Sequence, residues 1–137
     1  MTIVANIIDN FIDGEYQAPI NNNYSDNIEP ATGLVYGKIP NSDSADVEQA
    51  VVAAEHALPA WRALDLEQRA DYLIAIAQEI ENQLEPLALA EATDNGKPIS
   101  LAKMVDIPRA ASNFKFFAHA CSQFASESHA IANTAIN

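Results

Sequence analysis

The chain has 137 residues, 19 acidic against 7 basic, and a formal net charge of −12. A field of that sign repels nucleic acid and anionic membrane, so neither is an expected partner; no apolar run approaches the roughly 18 residues that span a bilayer, and the N-terminus lacks the basic, apolar and small-residue regions of a signal peptide. The length fits one domain or part of one, which is short for binding both a cofactor and a substrate, and a single cysteine, Cys121, leaves no internal disulfide and fits a reducing, cytoplasmic setting.

Residues 1–6 start apolar and are expected to fray. Asp13-Gly14 then stands between short apolar flanks, and because both residues tolerate positive φ a hairpin is predicted around them. Asn21 to Asn23 reads as a polar loop. Tyr24 to Ile28 and Leu34 to Ile39 read as strands joined by a turn at Pro30-Ala31-Thr32-Gly33, which makes a second hairpin.

From Asp43 the apolar period lengthens to that of a helix, with Val47, Ala50, Val51, Ala54, Ala57 and Leu58 on one face. Asp43 is its N-cap, Asp46 bonds back from three residues on, and Pro59 is expected to stop it. Trp61 is expected to tuck beneath the following connection as a packing residue. A second helix opens at Asp65, whose cap is completed by Gln68, and carries Leu66, Ala70, Leu73, Ile74, Ala77, Ile80 and Leu84 down one stripe. Pro86 belongs in a first turn, so a third helix is placed from about Glu85 to Asp94, with Gly96 just past its end and Leu87, Ala90 and Thr93 facing inward.

The last helix starts near Ile99 or Ser100 and runs to Phe124, with Met104, Ile107, Ala111, Phe114, Ala118 and Cys121 at helical spacing. Pro108 removes one backbone donor from it and crowds the preceding turn, so a kink or a fresh start capped by Asp106 is expected. Phe114, Phe116 and Phe117 put aromatic rings on more than one side of this helix, which predicts that it is enclosed by more protein than these residues supply. Beyond Phe124 the pattern loosens into small and polar residues with isolated Ile131 and Ile136.

No complete active site can be assembled from these residues. The four glycines are scattered, so the closely spaced set that lets a backbone approach a pyrophosphate is missing. His56, His119 and His129 have no ligand-like spacing with one another or with Cys121, and Cys121 sits in a helical pattern where a thiol packs as a small apolar group. Glu48, Glu55, Glu67, Asp71, Glu79 and Glu81 fall on predicted solvent faces. On this evidence alone, a self-standing acidic helical module that binds a partner through the aromatic face of its last helix is a second reading.

Five short motifs, read in register, bring a family into view: Asn10-Phe11-Ile12-Asp13-Gly14-Glu15; Glu29-Pro30-Ala31-Thr32-Gly33; Asp46-Val47 with Ala50-Val51 and Ala53-Ala54; Trp61-Arg62 with Glu67-Gln68-Arg69; and Asp94-Asn95-Gly96-Lys97-Pro98. Together they resemble the N-terminal part of the NAD(P)-dependent aldehyde dehydrogenase superfamily, with Glu29 where the family usually has asparagine. Asp106-Ile107-Pro108-Arg109 with Asn113-Phe114-Lys115-Phe116-Phe117-Ala118 is similar to the subgroup that oxidises 2-aminomuconic and 2-hydroxymuconic semialdehydes.

The resemblance implies an α+β fragment: N-terminal hairpins in residues 1–42, about four helices in 43–124 and a lead-in at 125–137. These would form the outer helical layer of the larger α/β, Rossmann-like cofactor domain. It implies a reaction in which a cysteine attacks the aldehyde, the resulting thiohemiacetal gives hydride to NAD(P), and a glutamate activates water. In the family those groups come later in the chain, so no catalytic and no cofactor-binding residue is assigned here, Cys121 is not the nucleophile, and the chain alone is expected to be inactive and to bind no dinucleotide tightly. A monovalent cation, K+ or Na+, would be held at Asn27, Ile28 and Asp94, whose oxygens suit a hard ion; alternatively Asp94 is a helix-end residue bonding into the Asn95-Gly96 turn. Arg109 matches a position lining the substrate tunnel, where a guanidinium suits a substrate carboxylate; alternatively it is solvated or paired with Asp106. The complete enzyme is expected to take a small-molecule aldehyde and to form a homo-oligomer.

Overall fold

The computed structural model describes residues 6–123, 125, 129–131 and 134–136. Seven strands occur among them: β1 (Asn6–Ile7), β2 (Asn10–Ile12), β3 (Glu15–Gln17), β4 (Tyr24–Glu29), β5 (Leu34–Pro40), β6 (His129–Ile131) and β7 (Thr134–Ile136). β2 and β3 form the first predicted hairpin, and Asp13 and Gly14 at its turn take φ of 55° and 80°, the left-handed pair that a two-residue turn requires. β4 and β5 form the second, closed by the Gly33 amide donating to the Glu29 carbonyl at 2.8 Å. Glu29 also accepts from the Thr32 hydroxyl at 2.9 Å, so this acid fastens the turn with its side chain.

β1 adds to the second hairpin in parallel, giving the order β1-β5-β4. Asn6 is therefore in a strand and not in a frayed end; the rest of that expectation, residues 1–5, lies outside the described residues. The close approach of β1 depends on Gly37, where a Cβ would meet the Asn6 carbonyl oxygen at 2.8 Å. β6 and β7 pair antiparallel, which the loosened pattern after Phe124 did not announce. Phe124 itself and the remaining residues of 126–137 lie outside the described set.

Five helical segments follow the hairpins: α1 (Ser44–Ala63), α2 (Leu66–Asn82), α3 (Leu84–Asn95), α4 (Ile99–Leu101) and α5 (Ile107–Gln123), with a π-helical turn, Ala102–Asp106, joining the last two. α1 begins in the predicted capping box of Asp43 and Asp46 but does not stop at Pro59, which lies inside it. A proline removes one backbone bond, whereas Ala60 to Ala63 are adequate helix formers, and the helix closes one turn later with the Leu64 amide on the Trp61 carbonyl. Trp61 is 41% exposed, so it is not tucked beneath the connection; its ring meets Tyr72 of α2 at 5.7 Å across the surface. α2 opens in the predicted Asp65–Gln68 box but ends at Asn82, so Leu84, expected on its stripe, starts α3 instead, and Leu66 at the head of the stripe is 41% exposed; α3 ends on Gly96 at φ 78°.

Besides Ile12 and Pro19 near the hairpins, the core is made of helical alanines. Ala77 of α2, Ala88 of α3, Ala102 of the π turn, and Ala111 and Ala118 of α5 are buried, and without long side chains between them α2 and α5 pack along their lengths. Ile107, Phe114 and Cys121 share the half-buried side of α5, but Met104 is 72% exposed. The wide turn between Met104 and Ile107 carries the methionine off the stripe that an unbroken α-helix would have given. On α3 the buried position is Ala88; Leu87 and Thr93 are half-buried and Ala90 is exposed. The apolar face of α1 stays largely open, with Val47 61%, Val51 46% and Leu58 45% exposed. No helix among the described residues is long and apolar enough to cross a membrane.

Candidate functional site

Two places hold the side chains singled out above. The first is where the end of α3 meets the β4–β5 hairpin. The β4–β5 ladder is in register up to Asn27 opposite Gly37 and resumes at Ile28 opposite Val35, so Tyr36 is the extra residue of a bulge on β5. A bulge re-aims its unpaired side chain. Here the Tyr36 hydroxyl donates to Asp94 Oδ1 at 2.7 Å and accepts from Asn27 Nδ2 at 2.8 Å, while the same Nδ2 lies 2.9 Å from Asp94 Oδ1.

Electrostatically the triangle keeps Asp94 charged. The hydrogen bonds from Tyr36 and then Asn27 hold its carboxyl below the usual range, and the same contact with Asp94 pushes the Tyr36 phenol up to about 12. Asp94 does not bond into the following turn. That turn is closed by Asn95, whose Oδ1 accepts from the Lys97 amide at 2.9 Å. Both bonds to Asp94 arrive at Oδ1, and the shifted ladder lies at Asn27 and Ile28.

The second place is the π turn. Lys97 Nζ lies 2.6 Å from Asp106 Oδ2 and 3.2 Å from Glu91 Oε1, and these carboxylates, Asp106 foremost, raise the lysine pKa despite some desolvation. On the other side of the turn Lys103 pairs with Glu85, in the first turn of α3. Asp106 thus ends the π turn, and its side chain, expected as a cap, is the partner of Lys97, with no bond among the described residues to an amide of α5, which starts at Ile107. Arg109 follows three residues later, exposed, with no ion pair among the described residues, so the expected alternative of a bridge to Asp106 is overturned: Lys97 holds that carboxylate.

The two places do not merge into one complete catalytic site. Cys121 is a free, half-buried thiol in the last turns of α5, and no group of three His, Cys, Asp or Glu side chains arranged for a metal occurs among the described residues. Of the four glycines, three sit at positive φ in turns or a cap and Gly37 lies beneath β1. Tyr36 was not read from the sequence, since nothing local marks a bulge. Lys97 was visible within Asn95-Gly96-Lys97-Pro98, but its partner nine residues on was not.

Residues 17–137 match the aldehyde dehydrogenase family. The chain is 45% identical over 112 residues to 2-aminomuconic semialdehyde dehydrogenase of Mus musculus, a match that takes in 82% of the chain and 23% of that protein. With the Homo sapiens 2-aminomuconic semialdehyde dehydrogenase it shares 40% identity over 121 residues, 88% of the chain and 24% of the relative. The fold overlies an indole-3-acetaldehyde dehydrogenase of P. syringae, solved with NAD+ and IAA, at a TM-score of 0.86 and 35% identity, over 89% of this chain and 25% of that one. The chain therefore spans about a quarter of the length of the relatives it matches. Motif order, the hairpin-then-helix architecture and these likenesses agree, and the chain belongs to the aldehyde dehydrogenase family.

Proposed function

We propose that these residues are the N-terminal part of an NAD(P)-dependent aldehyde dehydrogenase whose substrate is a carboxylated semialdehyde of the muconic type. The observation that carries the reading is the continuous family match over residues 17–137 together with a fold that overlies a solved family member. The substrate class is supported by the resemblance to 2-aminomuconic semialdehyde dehydrogenases and by Arg109, an exposed guanidinium without an ion pair among the described residues. Such a group binds a carboxylate through two parallel hydrogen bonds. Asp94, kept ionised by Tyr36 and Asn27, would offer a monovalent cation one charged ligand, with carbonyls at Asn27 and Ile28 completing this chain's share.

The dinucleotide, when bound, accepts the hydride of the oxidation, and in this reading no residue of the 137 is assigned to it. The 137 residues alone are accordingly expected to leave aldehydes unoxidised. In the complete enzyme, Arg109→Ala should raise KM for a carboxylated semialdehyde about 10- to 100-fold, the range for losing a charge-assisted pair, and should change KM for a neutral aldehyde much less. Equal effects on both substrates would remove Arg109 from the binding site. Turnover by the isolated chain would overturn the proposal, whereas a stable, cooperatively melting monomer without turnover would favour the self-standing interaction module, for which the exposed Phe116 and Phe117 would be the place to look.

A further inference from the structure

The π turn is held from both sides by charged residues around α3, and Arg109 is the third residue beyond it. Inside the turn the Ile107 amide reaches back to the Ala102 carbonyl, five residues earlier, in the wide geometry that recurs at functional sites inside helices. Upstream, the chain is fixed by the Leu101 amide on the Pro98 carbonyl at 2.9 Å. Downstream, Ala111 and Ala118 are buried and Lys115 reaches Glu81 of α2 at 2.6 Å. The turn takes up the register difference between these two anchored stretches. Relaxing it to α geometry would change the azimuth of everything after it by about one residue's rotation.

Two ion pairs oppose that relaxation: Lys103 with Glu85 at one end of the turn, and Lys97 with Asp106 at the other. They are not equal. Glu85 is 69% exposed, so its pair is strongly screened, whereas Lys97 and Asp106 are 27% and 30% exposed and Glu91 steadies the same ammonium. We infer that Lys97, through its clasp on Asp106, is a positioning residue that holds the π turn and thereby sets the direction from which Arg109 meets the substrate carboxylate. The inference rests on the reading of Arg109 given above and extends it to a residue that touches no substrate.

The test is made in the complete enzyme with the Lys97→Met, Lys97→Arg and Arg109→Ala variants and the Lys97→Met/Arg109→Ala double variant. Two quantities are read: the ratio of kcat/KM for a carboxylated over a neutral aldehyde, and hydrogen–deuterium exchange at the Ile107 amide. Lys97→Met is expected to lower the ratio about five- to tenfold and to speed Ile107 exchange, with Lys97→Arg restoring both and with no further loss of the ratio in the Arg109→Ala background. Should Lys97→Met not accumulate folded, Asp106→Asn cuts the same clasp and is read the same way. An unchanged ratio where Arg109→Ala lowers it, an equal loss on both substrates, or unchanged Ile107 exchange would each overturn the inference. If Arg109→Ala itself fails to discriminate between the substrates, the reading beneath falls, while the exchange measurement still reports whether the clasp holds the turn.

Discussion

Gly96 and Gly33 differ in a way that separates backbone strain from crowding. Both sit at positive φ, 78° and 71°, but a Cβ at Gly96 would stand 3.0 Å from Pro30 Cβ, whereas at Gly33 nothing lies within 4 Å. Gly33→Ala should cost about 1 kcal/mol from conformation alone, and Gly96→Ala about 1 kcal/mol more because Pro30 must move; thermal unfolding followed by circular dichroism would rank them, and equal shifts would refute the crowding. Tyr36 offers a second measurement at this scale. Its pKa, raised from 10.0 to about 12 by Asp94, means that its contribution is intact below pH 10 and is lost as pH rises toward 12. The carboxyl end runs the other way: Asp94 lies below 3.8, so its contribution is present above that pH and is lost as pH falls through the depressed value. Ultraviolet titration of Asp94→Asn should bring the Tyr36 phenol back toward 10, and an unmoved titration would show that Asp94 is not the cause.

Among the elements, α1 shows how a local signal acquires a distant duty. Asp46 completes the capping box by accepting from the Asp43 amide at 2.9 Å, as its spacing predicts, and the same side chain, only 3% exposed, accepts from the Ile20 amide at 2.9 Å and Asn10 Nδ2 at 3.5 Å. One carboxylate thus ties the helix start to β2 and to the chain after β3. Asp46→Asn keeps the shape but turns a donor toward donors, and it should cost about 2 kcal/mol. Asp65→Ala, which removes a cap of similar design but exposed and local, should cost about 1 kcal/mol. Urea midpoints of the two variants would check the order, and a larger loss at Asp65 would mean that the tie to the hairpins is not what makes Asp46 matter.

At the scale of the whole molecule the surface is too large for the chain's size. Its accessible area is 10253 Å², against about 7,000 Å² for a compact monomer of this length. Large apolar side chains are part of it: besides the face of α1, Ile7, Phe11, Leu89, Phe116 and Phe117 are each more than half exposed. Exposed large apolar side chains in such number favour association. The isolated chain is therefore expected to sediment as oligomers or aggregates at micromolar concentration and to bind a hydrophobic dye, and a monodisperse, cooperatively melting monomer would contradict this.

What could be read directly from the residues was whatever rests on near neighbours in the chain. The Asp13-Gly14 hairpin, the Asp43 and Asp65 boxes, the α3 terminus at Gly96 and the α2 stripe from Ala70 to Ile80 each depend on groups within a few residues of one another, and the family likeness is carried by those same short motifs. The tertiary structure decided the rest. Pro59 stays inside α1 and Trp61 at the surface; β1 lies along β5 because Gly37 makes room; a bulge turns Tyr36 onto Asp94; and a π turn clasped by Lys97 stands where a kink or a fresh start capped by Asp106 was expected. Each of these outcomes follows from strand register, helix register or pairing between groups brought together only by folding, and local propensity contains no record of such distances.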